Sequence, residues 1–445
     1  MEQVLERCAA LDVHKAQVTV WVRVPDARGE RADLKARFAT MTADLLALRD
    51  WLKELAVTHV AMEGTGVYWK PVYYVLEDDF QLVLANAQHV KNLPGRKTDM
   101  GDAQWLCMLL EHGLLRGSFV PPREIRELRD LTRYRRSLVG ERQRQANRLH
   151  KTLEDAGIKL ACVASDVLGV SGRQMLQALI SGTRDPQVLA ELAKGKLRNK
   201  LPALRAALEG RFSSHHALLA GHILAHIDYL EETIGALTQE IEARIAPFAH
   251  KARRLETIHG VGARTAQAIL AELGPDMSRF PTHRHAASWA SVCPGNHESA
   301  GKRRTGRTRK ANQHLRAVLV EAAQAASRTK GSYLRAQYEQ LKRRHGHNKA
   351  IVAVAHSILI AAYYILRDDV PYQDLGGDWF ARRADPQRQT RRLSDEVPHG
   401  RLLDQSIWLL ACGGGVLAGL PRHCCSRAST TGESRGSPPS GSSKD

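Results

Sequence analysis

An isolated carboxylate, Asp12, lies within a stretch that is otherwise apolar and β-branched, and it sets the strongest limit on the fold. Residues 8–15 read Cys-Ala-Ala-Leu-Asp-Val-His-Lys, and residues 17–24 continue as Gln-Val-Thr-Val-Trp-Val-Arg-Val. This composition predicts one buried central strand. A charged group in a sheet core is costly unless a cation or hydrogen-bond donors receive it. Asp12 therefore either caps a turn at a strand end or holds a ligand.

Strands and helices alternate through the first 120 residues. Further strands are predicted at residues 35–40, 58–63 and 81–85, and residues 42–53 have helical periodicity behind a threonine cap. Alternation of this kind predicts an α/β domain whose mixed sheet is covered by helices.

Three further carboxylates lie at the ends of these elements. Glu63 ends a predicted strand and precedes a Gly-Thr-Gly turn, while Asp99 and Asp102 open a helix. Singly, each has an ordinary explanation, either as a surface acid beside a turn or as a helix cap that compensates the dipole. Four carboxylates at one sheet edge would repel each other without a cation, and they suit two Mg²⁺ or Mn²⁺ ions about 4 Å apart. The sequence therefore predicts a metal site.

These motifs resemble those of the transposases typified by insertion sequence 110. The matching segments are residues 11–15, 62–66 and 97–102, which read Leu-Asp-Val-His-Lys, Met-Glu-Gly-Thr-Gly and Lys-Thr-Asp-Met-Gly-Asp. The resemblance implies an RNase-H-like N-terminal domain of the RuvC type. It implies that the metal-binding catalytic tetrad consists of Asp12, Glu63, Asp99 and Asp102.

The composition favours a polyanionic partner. The 445 residues include 65 Lys and Arg against 47 Asp and Glu, which gives a net charge of +18. Such an excess points to nucleic acid, with a solvated basic surface as the alternative. The seven cysteines, far apart except for the adjacent Cys424 and Cys425, form neither a disulfide framework nor a zinc pattern, and the N-terminus has no signal-peptide pattern. We therefore expect a soluble cytoplasmic protein.

Residues 121–250 are expected to form a basic helical linker. Residues 123–153 predict a long amphipathic helix with one basic face. A phosphate-binding role for Arg129, Arg133 and Arg136 is balanced against a merely solvated face.

A coiled-coil seam is predicted near the end of this linker. Apolar residues recur at alternating steps of three and four from Ile227 to Ile241, over roughly two and a half heptads. The seam either packs inside its own protomer or joins subunits. The family resemblance, which includes a coiled-coil bridge, favours contact between subunits.

Residues 251–376 are expected to form an all-α C-terminal domain. Residues 255–274 predict a helix, a Gly-Val-Gly turn and a second helix, which is helix-hairpin-helix character. The N–H groups around Gly260 and Gly262 would then form a phosphate site at a helix N-terminus. A plain αα-hairpin is the alternative.

A basic segment at residues 290–310 contains Pro294, Gly295, Gly301 and Gly306, which predict an irregular loop. Ser299 lies at its edge, where a lone serine is usually a turn residue. In the resembling family, the nucleophilic serine of a C-terminal transposase domain precedes such a basic run and an Asn-x-x-Leu-Arg helix. Residues 312–316 match that helix, so the resemblance implies that Ser299 is the nucleophile, although Ala300 separates it from Gly301. The cationic residues expected to bind nucleic acid here are Lys302, Arg303, Arg304, Arg307, Arg309 and Lys310.

The resemblance covers residues 7 to about 393 and implies a DNA recombinase that moves its own element by phosphodiester cleavage and rejoining. It also implies a bridge RNA as guide, double-stranded DNA as substrate and a tetramer as the assembly. One alternative is a structure-selective Holliday-junction endonuclease, for which the tetrad alone suffices. Another is an inactive nucleic-acid-binding remnant. The expected segments are a RuvC-like domain (1–120), the linker (121–250), the C-terminal transposase domain (251–376) and a disordered tail (377–445).

Overall fold

A mixed five-stranded sheet forms the N-terminal part of the computed structural model, which describes residues 3–64, 66–85, 99–295, 297–299, 301–306, 308 and 311–382. The strands are β1 (Cys8–Val13), β2 (Gln17–Pro25), β3 (Arg31–Ala39), β4 (His59–Glu63) and β5 (Gln81–Ala85). Their order is β3-β2-β1-β4-β5, with β1 antiparallel to β2 and parallel to β4. The predicted α/β domain with a mixed sheet is confirmed, and the strand order is compatible with an RNase-H-like domain.

The stretch predicted as one central strand is instead a hairpin. β1 ends at Val13, and the N–H of His14 donates to the carbonyl of Gln17 at 2.9 Å, where the chain reverses into β2. The prediction of one continuous strand is wrong because the polar residues between two apolar runs turn the chain back on itself. Asp12 consequently lies near the C-terminal end of β1.

Helices cover both faces of the sheet. They are α1 (Thr42–Glu54), α2 (Trp69–Leu76) and α3 (Asp99–Glu111). Alternate strand side chains such as Leu11 and Met62 are fully buried against α1 and α2. The intervening side chains, among them Ala10 and Ala61, are small and are buried under α3. This two-faced burial explains why the central strands read as continuous apolar runs.

A helical region follows the sheet. In chain order its helices are α4 (Arg123–Asp155), α5 (Leu160–Val163), α6 (Val170–Ile180), α7 (Pro186–Glu191), α8 (Leu201–Leu208) and α9 (Ser214–Ile245). The long helices α4 and α9 run antiparallel, because Glu127 pairs with Arg244 at one end and Asp155 lies 3.0 Å from His216 at the other. The short helices close a separate apolar cluster at the far end of this pair.

The largest apolar core belongs to the C-terminal helices. These are α10 (Ala249–Glu256), α11 (Ala263–Leu273), α12 (His283–Trp289), α13 (Gln313–Ala326), α14 (Tyr333–His345), α15 (His347–Asp368) and α16 (Trp379–Arg382). Within the described ranges, α15 is long and apolar enough to cross a membrane by length and composition. Its apolar side chains, such as Ile358 and Leu359, are instead fully buried in this core.

A second, two-stranded sheet stands where an irregular loop was predicted. β6 (His297–Ser299) pairs antiparallel with β7 (Lys302–Thr305), with a bulge after His297. The prediction of an irregular loop is wrong here because glycines also make tight hairpin turns, and Gly301 has a φ of 73° between the two strands.

The segment predicted as a tail begins with ordered structure. The Phe380 ring of α16 stacks on Tyr333, with ring centroids 5.4 Å apart. The remainder of the predicted tail, residues 383–445, lies outside the described residues.

Candidate active site and nucleic-acid interface

The pairing of two parallel strands brings two of the predicted acids together. β1 and β4 are in a register that pairs Leu11 with Met62, so the next residues along, Asp12 and Glu63, are neighbours at the carboxyl ends of both strands. Adjacent strands lie about 4.8 Å apart. Open α/β sheets bind their ligands at this kind of edge.

The side-chain alternation of the strands places both acids on one face. Leu11 and Met62 belong to the core under α1 and α2, whereas Ala10 and Ala61 belong to the core under α3. Because successive strand residues point to opposite faces, Asp12 and Glu63 share the α3 face. Both are half-buried there.

The direction of α3 brings the other two acids toward the same edge. The thiol of Cys107 lies 3.8 Å from that of Cys8, and the carbonyl of Glu111 accepts hydrogen bonds from the N–H groups that precede β1, so α3 runs antiparallel to β1. The eight residues from Cys107 back to Asp99 cover about 12 Å of helix. The four residues from Cys8 forward to Asp12 cover about 13 Å of strand. Asp99 is therefore level with Asp12, and Asp102 lies one turn further into the protein.

The far end of α3 is anchored by a buried ion-pair group. The carboxylate of Glu111 is only 5% exposed, and Arg31 donates to it at 2.8 Å, with Arg23 as a second partner. Arg23 also donates to Asp33 at 2.8 Å. Burial raises the pKa of Asp33, but the hydrogen bonds from Arg23 and Trp21, together with the charges of Arg23 and Arg31, lower it overall. These contacts hold α3 against β2 and β3 and so fix its height above the sheet.

The predicted metal site itself stays a prediction. The Asp12 carboxylate lies 3.0 Å from Nε2 of His14 and accepts a hydrogen bond from this nitrogen when the nitrogen carries a proton. Among the side chains that the structure describes, no group of three or more His, Cys, Asp and Glu is close enough to hold a metal ion. Asp99 is described as a backbone position at the start of α3.

Ser299 occupies a defined place in the small hairpin. It pairs in register with Lys302, so these two residues flank the turn between β6 and β7. Only the backbone is described for Ser299, Arg303 and Arg304, while the side chain of Lys302 is exposed. The predicted contacts Arg307, Arg309 and Lys310 lie outside the described residues.

The basic helix is confirmed as a helix, but its arginines largely face other helices. Arg129 is buried and donates to the carbonyl oxygens of Ala271 and Glu272 at 3.2 and 2.7 Å. Arg133 donates two hydrogen bonds to the Glu272 carboxylate, from Nε at 2.6 Å and from Nη2 at 2.8 Å. Arg136 donates to Glu321 at 3.1 Å on the exposed surface. The predicted phosphate-binding role of Arg129 is therefore not retained, since the side chain is enclosed by protein.

The two glycines of the predicted hairpin turn differ in what surrounds them. Gly260 has a φ of 87°, and a Cβ there would come within 2.4 Å of the carbonyl oxygen of Ala322. Gly262 is the N-cap of α11, and nothing lies within 4 Å of its Cβ position. Gly260 thus serves the packing of this turn against α13, while Gly262 leaves the first N–H groups of α11 open.

The predicted seam in α9 packs on α4 of the same chain. Ile227, Leu230 and Ile241 are buried, whereas Ile234 and Leu237 are only half-buried. Of the two alternatives, packing within the protomer accounts for the buried positions. Contact between subunits stays a prediction.

One basic surface was missed by the sequence analysis. The last turn of α14 carries Lys342, Arg343, Arg344 and His345, and all four side chains are exposed. The signal was present as three consecutive cations at a helix end. Only the structure shows that the helix ends at His345 with all four side chains exposed.

Two family models of transposases match the chain in the regions just described. Residues 9–158 match the transposase model for the DEDD domain of IS110 elements, and residues 252–339 match the transposase IS116/IS110/IS902 family. The first match contains the sheet with its acids and reaches the end of α4. The second begins in α10, includes the hairpin of Ser299 and ends in α14.

Three curated proteins are similar over much of the chain. The transposase for insertion sequence element IS1328 of Yersinia enterocolitica is 25% identical, over 59% of this chain and 69% of its own length. The putative transposase y4pF/y4sB of Sinorhizobium fredii is 28% identical over 51% and 50% of the two chains. The insertion element IS116 uncharacterized 44.8 kDa protein of Streptomyces clavuligerus is 25% identical over 78% and 95%.

An α/β sheet with acids at its edge, followed by a basic helical region, is an organisation suited to an enzyme that works on DNA. The chain belongs to the IS110 family of transposases, which cleave and rejoin DNA and therefore bind it.

Proposed function

We propose that this transposase acts through two centres, the acid tetrad at the sheet edge and Ser299 at the β6–β7 hairpin. The observation that carries the proposal is the register of β1 against β4, in which Asp12 follows Leu11 and Glu63 follows Met62 on the α3 face. The antiparallel course of α3 supports the inclusion of Asp99 and Asp102. The tetrad consists of Asp12, Glu63, Asp99 and Asp102.

The donor set fits a hard divalent cation. Carboxylate oxygens on two adjacent strand ends and a helix start suit Mg²⁺ or Mn²⁺, and the acids would otherwise repel each other. When bound, such ions neutralise phosphate charge and help to form the attacking nucleophile. The contribution of the chain is to hold the acids on rigid elements, with α3 fixed at its far end by Glu111.

Ser299 is the proposed nucleophile. Its Oγ attacks a backbone phosphorus, so that an Oγ–P ester forms, one P–O bond to a sugar breaks and the leaving oxygen gains a proton. A serine hydroxyl needs activation, and the Lys and Arg residues of its own hairpin can stabilise the developing charge but do not readily take a proton. The tetrad, from this protomer or another, is the proposed source of activation.

The proposed nucleic-acid surface uses cations that the fold leaves exposed. In the second half of α4 these are Arg144, Arg148 and Lys151. Lys302 of β7 and the last turn of α14 extend the same chemistry to the C-terminal region. Phosphate contacts of this kind position DNA or RNA without reading its sequence.

We extend the proposal to a guide RNA and to a tetramer, both of which follow from the family resemblance. The half-buried Ile234 and Leu237 of α9 support a subunit contact, because part of the apolar seam is left uncovered by α4. Co-purification of a structured RNA and the mass of the particle in solution test these two points separately.

The test of the metal-dependent centre is Asp12→Asn. We expect this variant to lose strand cleavage in Mg²⁺ while its affinity for duplex DNA stays within about twofold, because the change removes a ligand at the sheet edge and not a phosphate contact. Asp78→Asn is the matched control, since Asp78 is exposed and precedes β5 at the opposite edge of the sheet. Equal activity in the two variants would remove the tetrad from the mechanism.

A further inference from the structure

A cavity of about 330 Å³ opens between α4, α11 and α13, away from the predicted catalytic acids. Arg135 and Arg136 line it from α4, Arg264 and Thr265 from the first turn of α11, and His314 from α13. Its volume lies at the lower end of the roughly 300–1,000 Å³ range of small-molecule sites. The space is sufficient for a phosphate group with part of a sugar.

The most unusual side chain in the wall is Arg135, which is only 5% exposed. Its Nη2 donates to Oε1 of Gln267 at 3.0 Å, but its Nη1 is buried and has no hydrogen-bond partner among the described residues. A buried N–H group left unpaired is destabilising, and more so when the group is charged. The Arg135 guanidinium therefore has a hydrogen-bond donor that the described residues do not satisfy.

The charges around the cavity do not cancel. Arg133 is paired with Glu272 and Arg136 with Glu321, so both carboxylates in the lining are already engaged. Arg135 and Arg264 form no ion pair within the described part of the chain. Burial lowers the pKa of Arg135, the neighbouring charge of Arg264 lowers it further, and Glu242 opposes them only at a distance. Two like charges therefore face one space.

The backbone of α11 adds to the same potential. Its N-cap is Gly262, which has no side chain to accept hydrogen bonds from the N–H groups of the first turn. Open N–H groups and the positive end of the helix dipole favour an anion at this position. Arg264 and Thr265 stand in that first turn.

We propose that this cavity binds one phosphate group of a nucleic-acid backbone, held by Arg135, Arg264 and the first turn of α11. The inference rests on the proposed function in so far as the phosphate belongs to DNA or RNA. Nη1 of Arg135 is covered by neighbouring atoms, so binding requires its guanidinium to turn into the cavity. The bound phosphate then offsets the repulsion between Arg135 and Arg264.

The decisive variant is Arg264→Glu, which places a carboxylate where the phosphate charge would be. It should raise the Tm of the phosphate-free protein, because Arg135 gains a partner of opposite charge. Arg284→Glu is the matched control, since Arg284 is exposed and is likewise the second residue of a helix, α12. The control has the same favourable dipole interaction without the cavity.

Inorganic phosphate, a DNA duplex and an RNA duplex are measured as separate ligands of the full chain. Phosphate should raise the Tm of the wild type and of Arg284→Glu but not of Arg264→Glu. Affinity for duplex DNA is measured at several salt concentrations. Arg264→Glu should weaken binding on the order of tenfold at 0.1 M salt. It should also reduce the slope of log affinity against log salt concentration by the amount expected for about one phosphate contact.

Three results would overturn the inference. If Arg264→Glu does not raise the Tm more than Arg284→Glu does, the repulsion with Arg135 is absent. If it abolishes the phosphate response and leaves DNA and RNA binding unchanged, the cavity takes a free phosphate and not a backbone. If the substitution changes the binding of none of these ligands, there is no site. Failure of the proposed function would give a different result. The Asp12→Asn variant, with Arg264 unchanged, would then still cleave DNA strands.

Discussion

Glu272 joins three helices of this transposase through its carboxylate. Its carboxylate lies in α11, is 3% exposed and accepts two hydrogen bonds from Arg133 of α4. The amide of Asn312 donates to it at 2.7 Å, and the same Asn312 caps α13 by accepting from the N–H of Leu315. Burial alone would raise the pKa of Glu272, but Arg133 and Arg129 outweigh it and the pKa is lowered.

We expect Glu272→Gln to destabilise the protein by about 3–5 kcal/mol at neutral pH, because it leaves buried arginines without their counter-charge. Because the pKa of Glu272 is lower in the folded state, its ionised carboxylate contributes its full stabilisation above the unfolded-state pKa of about 4.3. This contribution is lost as the pH falls below that value and through the folded-state pKa. The difference in the free energy of unfolding between the wild type and Glu272→Gln should therefore be constant from pH 7 to pH 5 and become smaller below about pH 4. Urea unfolding at each pH measures it.

Glu321→Gln is the control for this prediction. Its carboxylate is 61% exposed and pairs with Arg136 on the surface. Removal of an exposed partner should cost less than about 1 kcal/mol. Equal losses in the two variants would mean that Glu272 is not the buried hub of the three helices.

Ser299 is the residue on which the proposed chemistry depends. We expect the wild type to form a covalent protein–DNA adduct that mass spectrometry maps to Ser299, and Ser299→Ala to form none. Ser288→Ala, a change on the exposed surface of α12, should leave the adduct intact. Adduct formation or recombination by Ser299→Ala would assign strand cleavage to the tetrad alone, as in a junction endonuclease.

At the scale of elements, the turn between α10 and α11 shows how two glycines in one motif have different roles. Gly260 combines a φ of 87° with close approach to the backbone of Ala322 and Ala326 in α13. Gly262 combines an extended φ of −95° with open space. The first is required for packing, and the second is available to a ligand.

We expect Gly260→Ala to cost roughly 2–4 kcal/mol, since it adds positive-φ strain to an overpacked contact. Gly262→Ala, its matched control, should cost less, about 0.5–1 kcal/mol, because Ala is a poorer N-cap residue than Gly but meets no neighbouring atoms here. Thermal unfolding of the two variants measures the difference. A well-tolerated Gly260→Ala would show that the turn does not approach α13 this closely.

At the scale of the whole molecule, the excess of positive charge is divided between internal and exposed groups. Arg129 and Arg135 of α4 are buried between helices and Arg133 is paired with Glu272, while Arg144 and Lys151 of the same helix are exposed. A net charge of +18 therefore overstates the number of cations that can meet DNA. The exposed turn of α14 compensates for part of this loss.

We expect the affinity for duplex DNA to fall linearly with the logarithm of salt concentration, with a slope of about 0.9 for each phosphate neutralised. Replacing Lys342, Arg343 and Arg344 by Ala should reduce the steepness of that slope by the amount expected for up to about three phosphate contacts. Replacement of Arg49 and Lys53 in α1 is the control, since acids already pair with both. A slope unchanged by the first set would exclude the end of α14 from the interface.

The local elements of this protein could be predicted because their causes are local. The helix at Thr42–Glu54 and the strand at Gln81–Ala85 follow from apolar periodicity within a dozen residues. Asp99 was predicted to open a helix, and α3 begins there. The resemblance to the transposase family was likewise carried by three short motifs. The turn at His14 was missed because two apolar runs so close together read as one strand.

The partners of the charged groups could be decided only by the tertiary structure. Arg133 and Glu272 are 139 residues apart, and no periodicity in α4 indicates which of its arginines will meet an acid from α11. The same is true of Arg135 and Arg264, which face one cavity only because α4 and α11 pack side by side. A basic stripe in a sequence specifies charge, whereas burial and the distance to a counter-charge depend on which helices the core brings into contact.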